Sequence, residues 1–242
     1  DLAKPRPDGS TVLAYDQSIV DQIDPDRMLK SISEKSNGAV LPGWEPERMA
    51  RLKELFALYA PVTEEMLFNN LVYFLKAILP TCEKYGIRMA IHPDDPAWPV
   101  FGLPRIITCE KNLDRMLNIV DSPANSLTLC TGSLGCASFN DIPHLVRKYA
   151  ERDRIAFMHI RNVKNFPDGS FEEAGHLSCG GSLDLYAIVK ALVDNNYDGY
   201  VRPDHGRMIW GETGKPGYGL FDRALGATYI NGLFEACEKD RK

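Results

Sequence analysis

The stretch Ile87-Arg88-Met89-Ala90-Ile91-His92-Pro93-Asp94-Asp95-Pro96 decides the fold prediction, because a short apolar run ends there on a potential metal ligand. Three further apolar runs end in a similar way, at Cys130, at His159 and in the segment that contains Asp204. A helical pattern follows each run, and alternating strands and helices imply a parallel sheet with helices outside it. Parallel α/β barrels build their sites at the C-terminal ends of the strands. The sequence therefore predicts one site where these four strand ends meet.

The predicted elements divide the chain into two parts. Before the first strand, a long helix should begin after the N-cap Thr63 and end at Gly86. We interpret residues 1–60 as an excursion, with a possible strand at 11–16 and a helical pattern at 46–59. Residues 61–242 are then a single domain of four βα units, with strands at 87–91, 127–130, 155–160 and 200–202, and helices at 111–120, at 141–152, from Ser182 onwards and at 221–239.

The strand count limits the architecture. A closed (β/α)8 barrel has eight strands in about 250 residues, and the excursion takes about 60 of the 242 residues here. We therefore expect an α/β fold that supplies about the C-terminal half of a TIM barrel, with a smaller, complete open α/β sheet as the alternative. In the half barrel, the first and last strands should lack a neighbour within the chain. Residues 1–242 expressed alone should then associate or aggregate and be inactive.

Composition narrows the classes of partner. Hydrophobic residues make up 44% and charged residues 25% of the chain, as in ordinary globular proteins. A formal net charge of −5 gives no indication of binding to nucleic acid or to an anionic membrane. The most apolar stretch, residues 67–79, contains Asn69, Asn70 and Lys76 and is too short to span a bilayer. A small-molecule partner is the expectation that remains.

Cysteine usage indicates the compartment. The six cysteines include no Cys-x-x-Cys pair, which argues against a zinc ribbon or a thioredoxin-type motif. The opening Asp1-Leu2-Ala3-Lys4-Pro5 does not look like a secretory signal. We therefore expect a reducing, cytoplasmic setting in which most of the cysteines are free thiols.

The strand-end residues suit a metal site. Two histidines, a cysteine and an aspartate would form a mixed nitrogen, sulfur and oxygen pocket for a divalent transition metal. Asp94 and Asp95 could fix the tautomer of His92, and small residues after Cys130 allow close approach to a ligand. A serine-hydrolase elbow is excluded because Thr131 stands where that motif needs glycine. The ordinary alternatives are a surface turn at His92 and a structural role for Cys130.

Other side chains near the strand ends suggest substrate contacts. His159 and Arg161 should point to the same face of their strand, unless that strand end simply emerges into solvent. In Arg202-Pro203-Asp204-His205-Gly206, the arginine suits a carboxylate, the aspartate a metal and the histidine proton transfer, although a solvated turn is the alternative. His176 could contact substrate or lie at the surface.

Five segments in the same order resemble the D-mannonate dehydratase family. They are Arg88-Met89-Ala90-Ile91-His92-Pro93-Asp94-Asp95-Pro96, Gly102-Leu103-Pro104-Arg105-Ile106, Cys130-Thr131-Gly132-Ser133, His159-Ile160-Arg161 and Arg202-Pro203-Asp204-His205-Gly206. The resemblance extends over nearly the whole chain. One departure is Gly180-Gly181-Ser182-Leu183-Asp184, where the family more usually has Gly-Asp-Val-Asp.

The resemblance implies a fold, a cofactor and a reaction. The fold would be a xylose-isomerase-like TIM barrel of which the first half is absent here, in a homo-oligomer such as a dimer. The cofactor would be a divalent metal, usually Mn²⁺, with Fe²⁺ or Mg²⁺ possible. The reaction would be the loss of water from D-mannonate to give 2-dehydro-3-deoxy-D-gluconate in hexuronate (glucuronate) catabolism.

The resemblance also assigns the residues of that hydro-lyase. His92, Cys130, His159 and Asp204 would bind the metal, whereas Arg202, His205 and Tyr218 would be catalytic or contact the substrate. We expect Arg202 to hold the carboxylate, and His205 and Tyr218 to serve as base and acid, in an order left open. The alternatives are a metal-dependent sugar isomerase or epimerase of the same barrel type, an inactive fragment, or a small-molecule-binding module. Cys130 argues against the isomerase, since such sites usually favour carboxylates and histidines.

Overall fold

The computed structural model describes residues 3–20, 22 and 51–241. Helical residues predicted at 46–50 fall outside these ranges. The possible strand at 11–16 is two short strands, Thr11–Val12 and Ala14–Tyr15, interrupted at Leu13. In the opening part of the chain the elements are β1 (Lys4–Pro5), β2 (Thr11–Val12), β3 (Ala14–Tyr15), α1 (Gln17–Val20) and α2 (Leu52–Tyr59).

The long helix α3 (Glu64–Tyr85) has the predicted ends. The Thr63 side chain accepts a hydrogen bond from the backbone N–H of Met66 at 3.2 Å and so satisfies one free donor of the first turn. Gly86 ends the helix in the left-handed conformation, with φ of 64°, which glycine adopts without a steric penalty. Pro80 lies inside the helix, which continues through it.

Four βα units follow, as predicted. Their strands are β4 (Met89–Ile91), β5 (Asn125–Cys130), β6 (Ile155–Ile160) and β9 (Tyr200–Pro203). Their helices are α4 (Glu110–Leu117), α6 (Ile142–Glu151), α7 (Leu185–Asp194) and α8 (Leu220–Asp240). A further short helix, α5 (Thr131–Gly135), begins directly after Cys130.

The four strands form one parallel sheet in the order β4-β5-β6-β9. Among the described residues, β4 and β9 are the edges of this sheet, since β4 pairs only with β5 and β9 only with β6. Leu127 and Leu129 of β5 belong to the main apolar core, together with residues of the surrounding helices. Because side chains alternate along a strand, Cys130 lies on the face opposite to Leu129.

The connection between β6 and α7 contains strands that the sequence analysis did not predict. It contains an antiparallel hairpin of β7 (Val163–Asn165) and β8 (Phe171–Glu173), and β3 pairs with β8 from the other side. The helix predicted from Ser182 begins later, at Leu185, with Asp184 as its N-cap. The Ser182 hydroxyl instead accepts a hydrogen bond from the backbone N–H of Asn165 at 3.0 Å, so it stabilises the hairpin.

None of the helices in the described ranges is both long enough and apolar enough to cross a membrane. All six cysteines are free thiols.

Candidate metal centre

Four side chains at the C-terminal ends of the sheet come together in one cluster. One potential ligand atom from each of His92, Cys130, His159 and Asp204 lies within 4.8 Å of the other three. The strand register explains this, because Cys130 of β5 is paired with His159 of β6. His159 is in turn paired with Arg202 of β9, two residues before Asp204. The structure therefore brings together the four residues that the sequence predicts, and their role as metal ligands stays a prediction.

The chemistry of this cluster fits a metal. The Nδ1 atom of His159 is buried, has no hydrogen-bond partner within the described residues, and lies 3.6 Å from Asp204 Oδ1. A buried polar atom without a partner is costly, and a cation between these atoms would remove that cost. Cys130 Sγ lies 3.6 Å from Asp204 Oδ2. Imidazole, thiolate and carboxylate together suit a borderline divalent transition metal.

The orientation of His92 also fits this role. Its Nδ1 lies 2.7 Å from the carbonyl oxygen of Pro93, so the ring donates there and leaves Nε2 for a ligand. The prediction that Asp94 or Asp95 fixes this tautomer is wrong. Asp94 instead accepts hydrogen bonds from the backbone N–H groups of Ile106 at 3.0 Å and Ile107 at 2.8 Å, which stabilise the loop after β4.

Charge in the cluster is concentrated on Asp204. Burial opposes its ionisation, but His159, His205 and Arg202 outweigh burial and hold the pKa of this carboxyl well below its usual range. Burial likewise favours neutral His159, yet the neighbouring Asp204 and Cys130 raise the pKa of His159. A metal would replace the proton that this arrangement favours on the imidazole, as metal ligation generally does.

The three predicted catalytic residues border the cluster. The Arg202 side chain is 47% exposed and donates to Asp204 Oδ1. His205 Nε2 lies 3.7 Å from Asp204 Oδ2, and the rings of His205 and Tyr218 are 5.3 Å apart between centroids. Burial, and then the charge of Asp204, raise the pKa of Tyr218.

The backbone of Gly206 and that of Gly217–Gly219 lie close together, which places Tyr218 beside His205. The N–H of Gly206 donates to the carbonyl of Gly217 at 3.0 Å, and the N–H of Gly219 donates to the carbonyl of Gly206 at 3.1 Å. A Cβ atom on Gly219 would lie 1.9 Å from the carbonyl oxygen of Arg207. Only glycine allows this contact, so the glycine-rich loop positions the tyrosine.

Arg161 does not emerge into solvent but lies buried behind the cluster. Its guanidinium forms ion pairs with Asp95 and Glu173, and it lies against the backbone of Gly132, where a Cβ would come within 2.5 Å of Arg161 Cδ. Burial opposes the charge, but Glu173 and then Asp95 outweigh it and raise the pKa of Arg161. Gly132, one of the small residues after Cys130, thus makes room for the Arg161 side chain.

Sequence reasoning missed Glu173, which lies next to the predicted catalytic residues. Its carboxylate is 2.7 Å from His205 Nδ1, and the residue is 3% exposed. The turn signal Asp168-Gly169 could have revealed the hairpin that carries it. His176, for which the sequence allows either a substrate contact or a surface position, is buried, and a Cβ on Gly226 would come within 2.4 Å of its ring.

The fold and the cluster define an α/β protein with a candidate divalent-metal site at the C-terminal ends of parallel strands. The family model described as D-mannonate dehydratase (UxuA) matches residues 1–242. The chain therefore belongs to the D-mannonate dehydratase family.

Individual relatives agree with this assignment. A mannonate dehydratase of Brachyspira hyodysenteriae is 61% identical over 239 residues, which are 99% of this chain and 67% of that protein. One of Geobacillus thermodenitrificans is 55% identical over 242 residues, 100% of this chain and 65% of that protein. The crystal structure of mannonate dehydratase from Streptococcus suis serotype 2 superposes with a TM-score of 0.86 at 46% identity and covers 100% of this chain and 63% of that one. The chain thus spans about two thirds of the length of these relatives.

Proposed function

We propose that the protein containing this chain is a metal-dependent hydro-lyase that removes water from D-mannonate and forms 2-dehydro-3-deoxy-D-gluconate. The observation that carries this proposal is the cluster of four potential ligand atoms within 4.8 Å in a chain of this family. His92, Cys130, His159 and Asp204 would hold the metal. When bound, the metal supplies Lewis-acid stabilisation of the negative charge that develops on the substrate.

The other residues would bind the substrate and move protons. Arg202 is half exposed beside the cluster, so its remaining donors can bind the substrate carboxylate. His205 and Tyr218 are adjacent and would act as a pair. One removes the proton from C2 and the other protonates the departing hydroxyl at C3. The enol that results then tautomerises to the keto acid.

We further propose that the four βα units are the C-terminal half of a xylose-isomerase-like TIM barrel, preceded by an excursion in residues 1–60. The two sheet edges without a strand partner among the described residues support this, as does the match to only 63% of the Streptococcus suis chain. Mn²⁺ as the metal, a role in hexuronate catabolism and a homodimer follow from the resemblance. A cytoplasmic location agrees with six free cysteines.

Turnover under metal control tests the function. The protein expressed from its complete gene would be stripped with a chelator and assayed on D-mannonate before and after addition of Mn²⁺, Fe²⁺ or Mg²⁺. We expect dehydration to be lost on stripping and restored by at least one of these cations. An isomerised or epimerised sugar acid as the product would instead support the alternative enzyme class. Absence of any turnover of D-mannonate with each of the three cations would refute the proposal.

A further inference from the structure

The structure points to Glu173 as a positioning residue that orients the His205 ring so that Nε2 is the atom that exchanges a proton with the substrate. This inference rests on the function proposed above. It begins with the carboxylate of Glu173, which lies at the end of β8 and whose side chain is 2% exposed. Three donor groups converge on it: Arg161 Nε at 3.0 Å from Oε2, Arg161 Nη2 at 2.5 Å from Oε1, and His205 Nδ1 at 2.7 Å from Oε1.

These contacts decide which nitrogen of His205 carries the hydrogen toward Glu173. Arginine only donates hydrogen bonds, and both Glu173 oxygens accept from Arg161. The oxygen that faces His205 is therefore an acceptor, so His205 Nδ1 must be the donor. In the neutral ring, Nε2 then carries the lone pair.

The opposite side of the ring faces the proposed reaction site. His205 Nε2 lies 3.7 Å from Asp204 Oδ2, beyond hydrogen-bonding distance, and the Tyr218 ring lies beside it. A substrate next to the cluster would therefore meet Nε2 and not Nδ1. Glu173 itself forms no hydrogen bond or ion pair with any of the four cluster residues among the contacts of the described residues.

Arg161 keeps Glu173 in this position. Its backbone N–H donates to Thr131 Oγ1 at 2.8 Å, and its guanidinium also binds Asp95. The close backbone of Gly132 leaves the arginine side chain no space on that side. The orientation of His205 is thus fixed by a largely buried chain of contacts that joins the loop after β4, the start of α5 and the segment after β6.

A purely structural ion pair between Glu173 and Arg161 is the competing explanation, and Glu172 supplies a matched control. Glu172 is the neighbouring residue on β8, is equally buried at 3%, and pairs with Arg6 at 3.1 Å and with Lys4 at 3.4 Å. Its side chain points to the other face of the strand. Loss of its charge should affect stability without affecting His205.

Glu173→Gln tests the proposal because an amide has only one acceptor oxygen. Both carboxylate oxygens accept from Arg161, and Oε1 also accepts from His205, so the amide N–H₂ faces an Arg161 donor in either orientation. The amide therefore holds the His205 ring less firmly than the carboxylate does, and the preference for hydrogen on Nδ1 weakens. We expect kcat on mannonate to fall by about 10²-fold or more, with KM within about threefold and metal content unchanged. Glu172→Gln should keep kcat within about threefold, at a similar shift in melting temperature.

Imidazole ¹⁵N NMR of the zinc-loaded full-length protein tests the tautomer independently of turnover, with His205→Asn to assign the signals. The expected result is a protonated Nδ1 on His205 in the wild type and in Glu172→Gln, and a smaller fraction of rings protonated at Nδ1 in Glu173→Gln. A wild-type ring with hydrogen only on Nε2 would overturn the proposal, even if Glu173→Gln failed to fold. So would equal losses of kcat in the two glutamine variants. Absence of mannonate turnover in the wild type would refute the proposed function, while the NMR result would still decide the role of Glu173.

Discussion

His205→Ala is expected to lower kcat for mannonate dehydration by about 10²- to 10⁴-fold while metal content stays at the wild-type level, because general acid–base catalysis contributes that range. The ring lies between Glu173 and the cluster, and its Nε2 is 3.7 Å from Asp204 Oδ2, too far for a hydrogen bond. It can therefore be removed without removal of a metal ligand. Steady-state kinetics and metal analysis of the same preparation would measure both quantities.

A second histidine provides the control for this variant. His144 lies at the start of α6, and its side chain is 48% exposed and pairs with Glu110 at the surface. His144→Ala should keep kcat within about threefold. Normal turnover in His205→Ala would remove this histidine from the proton-transfer pair, and loss of metal would show that it acts through the metal site instead.

Asp204→Asn is expected to lose metal affinity, whereas His205→Ala is expected to keep it. The carboxylate supplies a negative charge between His159 and Cys130. The side chains of His159, His205 and Arg202 hold its pKa well below the usual range. The amide keeps the shape but not the charge, so we expect the affinity for Mn²⁺ to fall by about 100-fold or more. Competition with a chelating dye would measure this change, and turnover should fall with occupancy.

The matched control for that variant is Asp222→Asn. Asp222 is also buried, but it pairs with Arg207 at 3.0 Å and is not part of the cluster. This change should lower the melting temperature and leave the affinity for Mn²⁺ unchanged. Wild-type metal occupancy in Asp204→Asn would exclude Asp204 as a ligand.

The main sheet and the four-residue cluster could be predicted from the sequence because both depend on local patterns. Each strand is a short apolar run, and the last residues of parallel strands meet at one end of a sheet. The long helix could be predicted in the same way, since Thr63 and Gly86 are local start and stop signals. These features need no knowledge of distant contacts.

The role of Glu173 could not be predicted from the sequence because it depends on contacts with residues that are distant in the chain. Two adjacent glutamates in a loop are typical of a solvated surface. They are buried here only because Arg6, from a segment 166 residues away from Glu172, and Arg161 provide partners. No local pattern indicates such pairing. The same reason explains the late start of α7, since the Ser182 hydroxyl binds a strand of the hairpin instead of capping the helix.

The position of a bound metal would show directly whether the four clustered side chains are its ligands. Crystals of the full-length protein grown with Mn²⁺ would be measured at the manganese absorption edge, and an anomalous difference map would locate the ion. We expect one strong peak bonded to His92 Nε2, Cys130 Sγ, His159 and Asp204, at distances of about 2.0–2.4 Å, near those of comparable metals. A peak bonded to a different set of residues, or no ordered peak among these four in fully loaded and active protein, would exclude this ligand set.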